Sequence, residues 1–343
     1  MGGHALSCGS VRIEKSDFLV VCEKVITELQ RVYPNGKFAI PEQLPIKEDF
    51  GDLDIIYTND VKVDSSLLSW AKSDGELYIP KYPYINSDVT SFDYEMPNGD
   101  IFQIDVIKIR PECFDFATKY YSFGDTGNII GRAFNYAGFK LSHEGLKYKY
   151  VSKFNVKELF LTYDWQTALD FLEYPDYSKH NFYGLQSVFD YCFSTPFANH
   201  EIYMIENSNH TDRIRNVKRP MFMAMQDYIN EHPNCTSGSY EDKETYHQNS
   251  LERAFEIFPH FYEEYQELVG LDAIENVFRY KFNGNIVSEY TGLKEKRLSI
   301  YMKDLIDEYD LKTQKNKKII INSSDIEIKQ MITGYLTYWE YGN

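Results

Sequence analysis

The chain has 343 residues, 43% of them hydrophobic, enough to fill one large core or two to three modest ones. A formal net charge of −16 excludes non-specific coating of nucleic acid, which depends on lysine and arginine displacing counterions, so any such contact must use a local basic patch. The five cysteines, Cys8, Cys22, Cys113, Cys192 and Cys235, are odd in number, scattered and without a Cys-x-x-Cys pair; they signal neither a disulfide framework nor a zinc cage and fit a reducing compartment.

The start, "MGGHALSCGS", lacks the charged and apolar regions of a signal peptide, and it matches a myristoylation signal only at Met-Gly, since Leu6 stands where Ser or Thr is required. No run approaches the roughly 18 apolar residues of a membrane span. A soluble protein without membrane contact is expected. Residues 16–33 place Phe18, Cys22, Val25, Leu29 and Val32 on one helical stripe, with Ser16 as the N-cap. A loop rich in proline and glycine follows to Gly51, then "DLDIIY" with strand character. A short helix is expected over "DSSLLSWAKSD" (64–74). "SFDYEMPNGDIFQIDVIKI" reads as two strands around a turn at Asn98-Gly99, with Asp105 on the second. These elements make a small α+β domain ending near Tyr150.

Beyond it the pattern turns helical. "WQTALDFLEY", "GLQSVFDYCFS", "RPMFMAMQDYINEH", "SLERAFEIFPHFYEEYQELVG" and "LDAIENVFRYKF" carry apolar residues at helical spacing, separated by Pro, Gly and Asn. The polar stretch 234–250 reads as a linker or exposed loop, and "KTQKNKKIII" as a flexible loop with basic residues. A last helix over 325–340 has Ser323 and Ser324 as caps and Ile328, Met331, Ile332, Tyr335 and Trp339 as its stripe. The fold class is α+β: a mixed sheet with helices, then a mainly α-helical C-terminal region, in segments 1–150, 151–233, 234–250 and 251–343.

Asp52 and Asp54, directly after Gly51, are either the acidic lip of a turn or half of a metal site. Alternation along a strand sends both to one side and Leu53 and Ile55 to the core. If the strand of Asp105 pairs with theirs, three carboxylates converge. Such a set holds two Mg²⁺ ions about 3.5–4 Å apart, and oxygen-only ligands suit a hard cation, with Mn²⁺ a possible substitute.

"FGDLDII" with the later "QIDVI" resembles the nucleotidyltransferase superfamily typified by DNA polymerase β, poly(A) polymerases and CCA-adding enzymes, whose signature is a Gly-Asp-x-Asp strand and a third acidic residue on a neighbouring strand. Residues 120–150 and 188–229 look like segments of nucleotidyltransferases encoded by bacteriophages and large DNA viruses. "FNGNIVSEYTGLKEKRLSIYMKDLI" (282–306) is similar to the tail of CCA-adding enzymes, where Asn-Gly and a later Thr-Gly-Leu introduce a helix. The resemblance implies a polymerase β-like catalytic domain in which Asp52, Asp54 and Asp105 hold two metal ions. It further implies a nucleoside triphosphate as donor and an RNA 3′ end, of tRNA or another small RNA, as acceptor, in the cytoplasm, or the host cytoplasm if the source is viral. One departure stands out: the family's Gly-Gly or Gly-Ser pair about ten residues before the aspartates is missing, and Gly2-Gly3 and Gly9-Ser10 lie more than forty residues upstream.

Candidates for the remaining contacts are Gly51, Lys47 as a cation near the aspartates, and Asn128 and Arg132 on a helix capped by Asp125 or Thr126 and beginning at Asn128. "GDTGNIIGR" itself lacks phosphate-loop spacing. Arg213, Arg215, Lys218 and Arg219 form a local basic cluster whose guanidinium forks match phosphate oxygens of a triphosphate or an RNA backbone. His143, His200 and His210 show no ligand spacing and read as surface or structural. Two alternatives keep the fold: transfer of the nucleotide to a protein or small molecule, or an inactive module that binds RNA or protein.

Overall fold

The computed structural model describes residues 5–58, 60–71, 76–236 and 242–342. In chain order its strands are Ile13–Glu14 (β1), Phe38–Ala39 (β2), Asp49–Phe50 (β3), Asp52–Thr58 (β4), Trp70–Ala71 (β5), Leu77–Tyr78 (β6), Tyr84–Asn86 (β7), Val89–Glu95 (β8), Ile101–Ile109 (β9), Phe139–Ser142 (β10), Gly145–Val151 (β11) and Val156–Thr162 (β12). The helices are Lys15–Val32 (α1), Phe114–Tyr121 (α2), Thr126–Tyr136 (α3), Trp165–Phe171 (α4), Leu185–Cys192 (α5), His200–Tyr203 (α6), His210–Asn216 (α7), Pro220–Glu231 (α8), Lys243–Ile257 (α9), Pro259–Lys281 (α10), Gly284–Thr291 (α11), Glu295–Glu308 (α12), Gln314–Asn322 (α13) and Asp325–Gly342 (α14). The fold is α+β, an N-terminal mixed sheet followed by a mainly helical region. Two compact units form: Met1–Tyr148 with Phe160–Phe258, and Lys149–Leu159 with Pro259–Asn343.

In the first unit, five strands run in the order β2-β4-β9-β8-β7, with β4 and β9 parallel and the other pairs antiparallel. Asn98-Gly99 makes the tight turn between β8 and β9, Gly99 at φ 87°, where a side chain would be strained. Period-two alternation gives each sheet face its own cover. Leu53, Ile55, Phe92, Phe102, Ile104 and Val106 pack with Phe18, Val21, Val25 and Leu29 of α1. On the opposite face Ile56, Ile107 and Ile109 pack with Phe114 and Ala117 of α2. The second face is therefore apolar under α2 and carries Asp52, Asp54 and Asp105 beyond it, earlier along each strand.

Several expectations are corrected. Ser16 does not cap α1, because the helix begins one residue earlier and the Lys15 amide is taken by the Glu48 carbonyl (2.9 Å). The helix expected over 64–74 is a single 3₁₀ turn, Ser65–Leu67, stopped where Trp70 enters β5 to pack on Phe92 and Tyr94; residues 72–75 lie outside the described residues. The helix expected from Asn128 starts at Thr126, and the Asp125 carboxylate makes no cap but pairs with Arg219. Residues 243–250, expected in a linker or loop, open α9: the Asp242 carboxylate accepts from the Glu244 and Thr245 amides, and Tyr246 and Ser250 are buried. Residues 237–241 of that stretch lie outside the described residues. The β10–β12 meander was not foreseen.

In the second unit, α10 runs unbroken through Gly270, around which a side chain would meet no atom within 4 Å, so the residue costs only its intrinsic ~1 kcal/mol. "KTQKNKKIII" is not a flexible loop but α13, capped by Thr313 and anchored by buried Ile320 and by Lys317 on Glu275 (2.6 Å). Asn283 caps α11 through the Asn285 and Ile286 amides, and Gly292 ends it at φ 72°. Ser324 and Glu327 exchange side-chain and backbone bonds at the start of α14, a capping box. The core of this unit gathers Phe278, Val287, Tyr301, Leu305 and Ile332.

Candidate metal centre and active site

Parallel register sets Asp54 beside Asp105 and Asp52 beside Gln103, and the antiparallel partner adds Ser91 and Asp93 to the same two rows. One row across three strands is thus Asp54, Asp105, Ser91; the next is Asp52, Gln103, Asp93. Carboxylate oxygens of Asp52, Asp54 and Asp105 all lie within 4.8 Å of one another. The three are half-buried, so their charges meet in a poorly solvated space. Burial first, then the charges of Asp52 and Asp105, push the Asp54 carboxyl up to about 8, against the opposing pull of Lys47. Asp105 is also raised by burial, while hydrogen bonds from Ser91 and Gln103 hold it back.

The surroundings are built to orient these groups. Gln103, 2% exposed, donates through Nε2 to both oxygens of Asp105 (2.9 and 3.0 Å) and accepts the Ala5 amide at Oε1 (2.9 Å). Fully buried Asp93 accepts the Lys81 and Tyr82 amides and the Tyr78 hydroxyl, tying the neighbouring loop to the sheet. Neither Gln103 nor Ser91 was foreseen. Gln103 was legible, two positions before Asp105 and hence on its face; Ser91 depended on the register of the hairpin.

Lys47 lies in the field of Asp52 and Asp54, its ammonium bonded to Gln43 Oε1 (3.0 Å) and 4.4 Å from the Phe50 ring centroid, with burial pulling its pKa down. Arg12 grips Asp49 with two bonds (2.9 and 2.8 Å) and feels Asp52. Gly51 is buried immediately before β4. The Gly9-Ser10 pair, remote in sequence, is brought back to the sheet: the Gly9 amide closes a turn on the Leu6 carbonyl (3.1 Å), Gly9 sits at φ 75°, and the Val11 amide bonds to Ile101 at the start of β9 (2.8 Å). Gly2-Gly3 lies outside the described residues.

The other expected residues do not join this cluster. Asn128, Arg132 and Arg215 line a cleft of about 660 Å³ in the same unit, to which none of the three aspartates contributes. Tyr120, on its wall, precedes Tyr121, whose hydroxyl lies 3.2 Å from His143 Nδ1 and which feels both Asp54 and Arg215. Burial lowers the His143 pKa and keeps the imidazole neutral, a structural partner of Tyr121. The four basic residues have different surroundings: Arg213 donates to the Glu206 and Ser208 carbonyls (2.8 and 3.3 Å), Arg219 pairs with Asp125, Lys218 is exposed, and Arg215 alone faces the cleft.

The donor set fits a hard divalent cation: oxygen ligands only, three carboxylates within reach of one ion, and a raised pKa that a cation would reverse. Among the described residues no helix is long and apolar enough to cross a membrane. Compared with protein-family models and with curated proteins, the chain matches none.

Proposed function

We propose that the chain is a template-independent nucleotidyltransferase of the polymerase β type, which moves a nucleoside monophosphate from a nucleoside triphosphate to the 3′ end of an RNA. The observation that carries this reading is the set of three carboxylates on neighbouring strands, with oxygens within 4.8 Å of one another. Nothing structural is gained from that set in the absence of a cation, since it lifts Asp54 to about 8. Asp52, Asp54 and Asp105 would hold two Mg²⁺ ions, with Mn²⁺ able to replace them. When bound, such ions supply charge stabilisation at the attacking and leaving oxygens of an in-line displacement.

The reaction itself is simple to balance. The acceptor hydroxyl oxygen bonds to the α-phosphorus, the bond to pyrophosphate breaks, and the hydroxyl proton is lost. Asp105, aimed by hydrogen bonds from Gln103 and Ser91, is the carboxylate assigned to take that proton. Lys47 offers positive charge beside Asp52 and Asp54, and the Leu6–Gly9 turn, tied to β9 through the Val11 amide, is the segment assigned to triphosphate contact in the absence of a Gly-Ser pair just before the aspartates. The test is incubation of the purified protein with Mg²⁺, each α-labelled nucleoside triphosphate and total RNA, next to an Asp52→Ala/Asp54→Ala variant. Label in RNA with the parent alone supports the proposal. Label in protein would move the acceptor to another class, and no metal-dependent transfer with any nucleotide would overturn the enzyme assignment.

A further inference from the structure

We propose that the cleft between α3 and α7 is a second ligand site, which takes a phosphate-bearing nucleotide of the acceptor strand. The phosphate site stands on its own observations; its assignment to the acceptor rests on the nucleotidyltransferase reading. On α3, Asn128, Arg132 and Asn135 recur at helical spacing and line the cleft, while Ile129, Ile130, Ala133 and Phe134 bury the opposite face. α7 contributes Arg215 and Asn216. The volume, about 660 Å³, is that of a small-molecule site, commonly about 300–1,000 Å³.

Charge and unmet hydrogen bonding define the ligand. Arg132, Lys140, Arg215 and Lys243 outnumber Glu201 and Asp212, in a chain whose net charge is −16. Both acids already accept from asparagines, Glu201 from Asn207 (2.9 Å) and Asp212 from Asn209 (2.7 Å). Arg132 spends its bonds on neutral oxygens, the Ile202 and Met204 carbonyls and the Ser208 hydroxyl (2.9, 3.4 and 3.1 Å), and among the described residues forms no ion pair with a carboxylate. Arg215 has no hydrogen-bond or ion-pair partner among the described residues. The Asn216 side chain lines the cleft without bonding any described protein group, as do the amides of half-buried Asn128 and exposed Asn135. Two guanidiniums without carboxylates match phosphate oxygens, and three free amides match the polar edge of a base or ribose.

The donor triphosphate belongs at the carboxylate row, which lines no part of this cleft. Tyr120 and Tyr121 join the two places, since Tyr120 lines the cleft and Tyr121 feels Asp54 as well as Arg215. A phosphate ligand held here, beside the row and outside it, is the other substrate.

Calorimetric titration of the full-length Asp52→Ala/Asp54→Ala variant in EDTA, with ribonucleoside 5′-monophosphates, the matching nucleosides and inorganic phosphate, tests the site without metal or turnover. Monophosphates should bind at least tenfold tighter than either nucleosides or inorganic phosphate. Adding Arg215→Ala, an exposed position, should cost at least tenfold, as should Arg132→Lys, while Lys24→Ala on the distant surface of α1 should change nothing. Equal binding of nucleoside and monophosphate, equal binding of inorganic phosphate, or indifference to Arg215→Ala overturns the site. A second titration uses the parent protein with Mg²⁺ and a saturating non-hydrolysable triphosphate: undiminished monophosphate binding supports the acceptor assignment, and competitive displacement overturns it. Because the first titration needs no catalysis, failure of the transferase reading and failure of the site remain separate results.

Discussion

Replacing Asp54 by Asn should make the metal-free protein more stable at neutral pH, and the gain should vanish in acid. The folded Asp54 carboxyl titrates near 8, far above the ~3.9 of an unstrained aspartate. The folded state therefore holds a proton that the unfolded chain has released. The contribution to stability is fully present below the unfolded pKa and is lost as pH rises towards 8. Across that window the slope approaches about 1.4 kcal/mol per pH unit, so from pH 5 to 7 the parent should lose up to about 2.7 kcal/mol relative to Asp54→Asn. Urea denaturation in EDTA at pH 5, 6 and 7 measures this directly. Adding Mg²⁺ at pH 7 at a hundredfold excess over its Kd should return about 2.7 kcal/mol to the parent and little to the variant. Parallel stability curves for the two proteins in EDTA would refute the picture of a poorly solvated, mutually repelling cluster.

Gln103→Leu removes the amide that donates to both oxygens of Asp105 and strands the Ala5 amide, and should weaken Mn²⁺ binding by about tenfold; unchanged affinity in a titration would show that Gln103 does not position the carboxylate. Asp93→Ala leaves two loop amides and a buried tyrosine hydroxyl without an acceptor and should cost about 3–5 kcal/mol in urea, whereas a loss below about 1 kcal/mol would contradict the bonding described. In the second unit, Asn283→Ala deletes the cap of α11 and should lower stability by about 1 kcal/mol, with Asn283→Asp close to neutral; an equal loss in both would rule out capping as the cause.

Local periodicity made part of this molecule readable. The α1 stripe, the Asn98-Gly99 hairpin and the helices α4, α5, α8, the second half of α9, α10 and α14 follow from spacing, and Asp52 and Asp54 share a face because they are two apart. The pairing that adds Asp105 is different in kind. It is a parallel contact across a long crossover, and nothing in either strand specifies the partner, so it entered only as a condition. Lysines misled at α13, where Lys317 is not a solvated charge but an anchor on Glu275. In β11, "GLKYKYV", alternation of lysine and tyrosine was present and went unread. The return of Gly9-Ser10 to the sheet and the meeting of α3 with α7 depend on tertiary packing, so Gly9-Ser10 read only as a pair more than forty residues from the aspartates, and Asn128, Arg132 and Arg215 as scattered candidates rather than as one cleft.

The central claim is that the carboxylate row is a two-metal nucleotidyl-transfer site. Electron paramagnetic resonance counts Mn²⁺ bound per chain in the presence of a non-hydrolysable nucleoside triphosphate. Two bound ions in the parent, both lost in Asp52→Ala/Asp54→Ala, are predicted. An equal Mn²⁺ count in parent and variant would contradict the account.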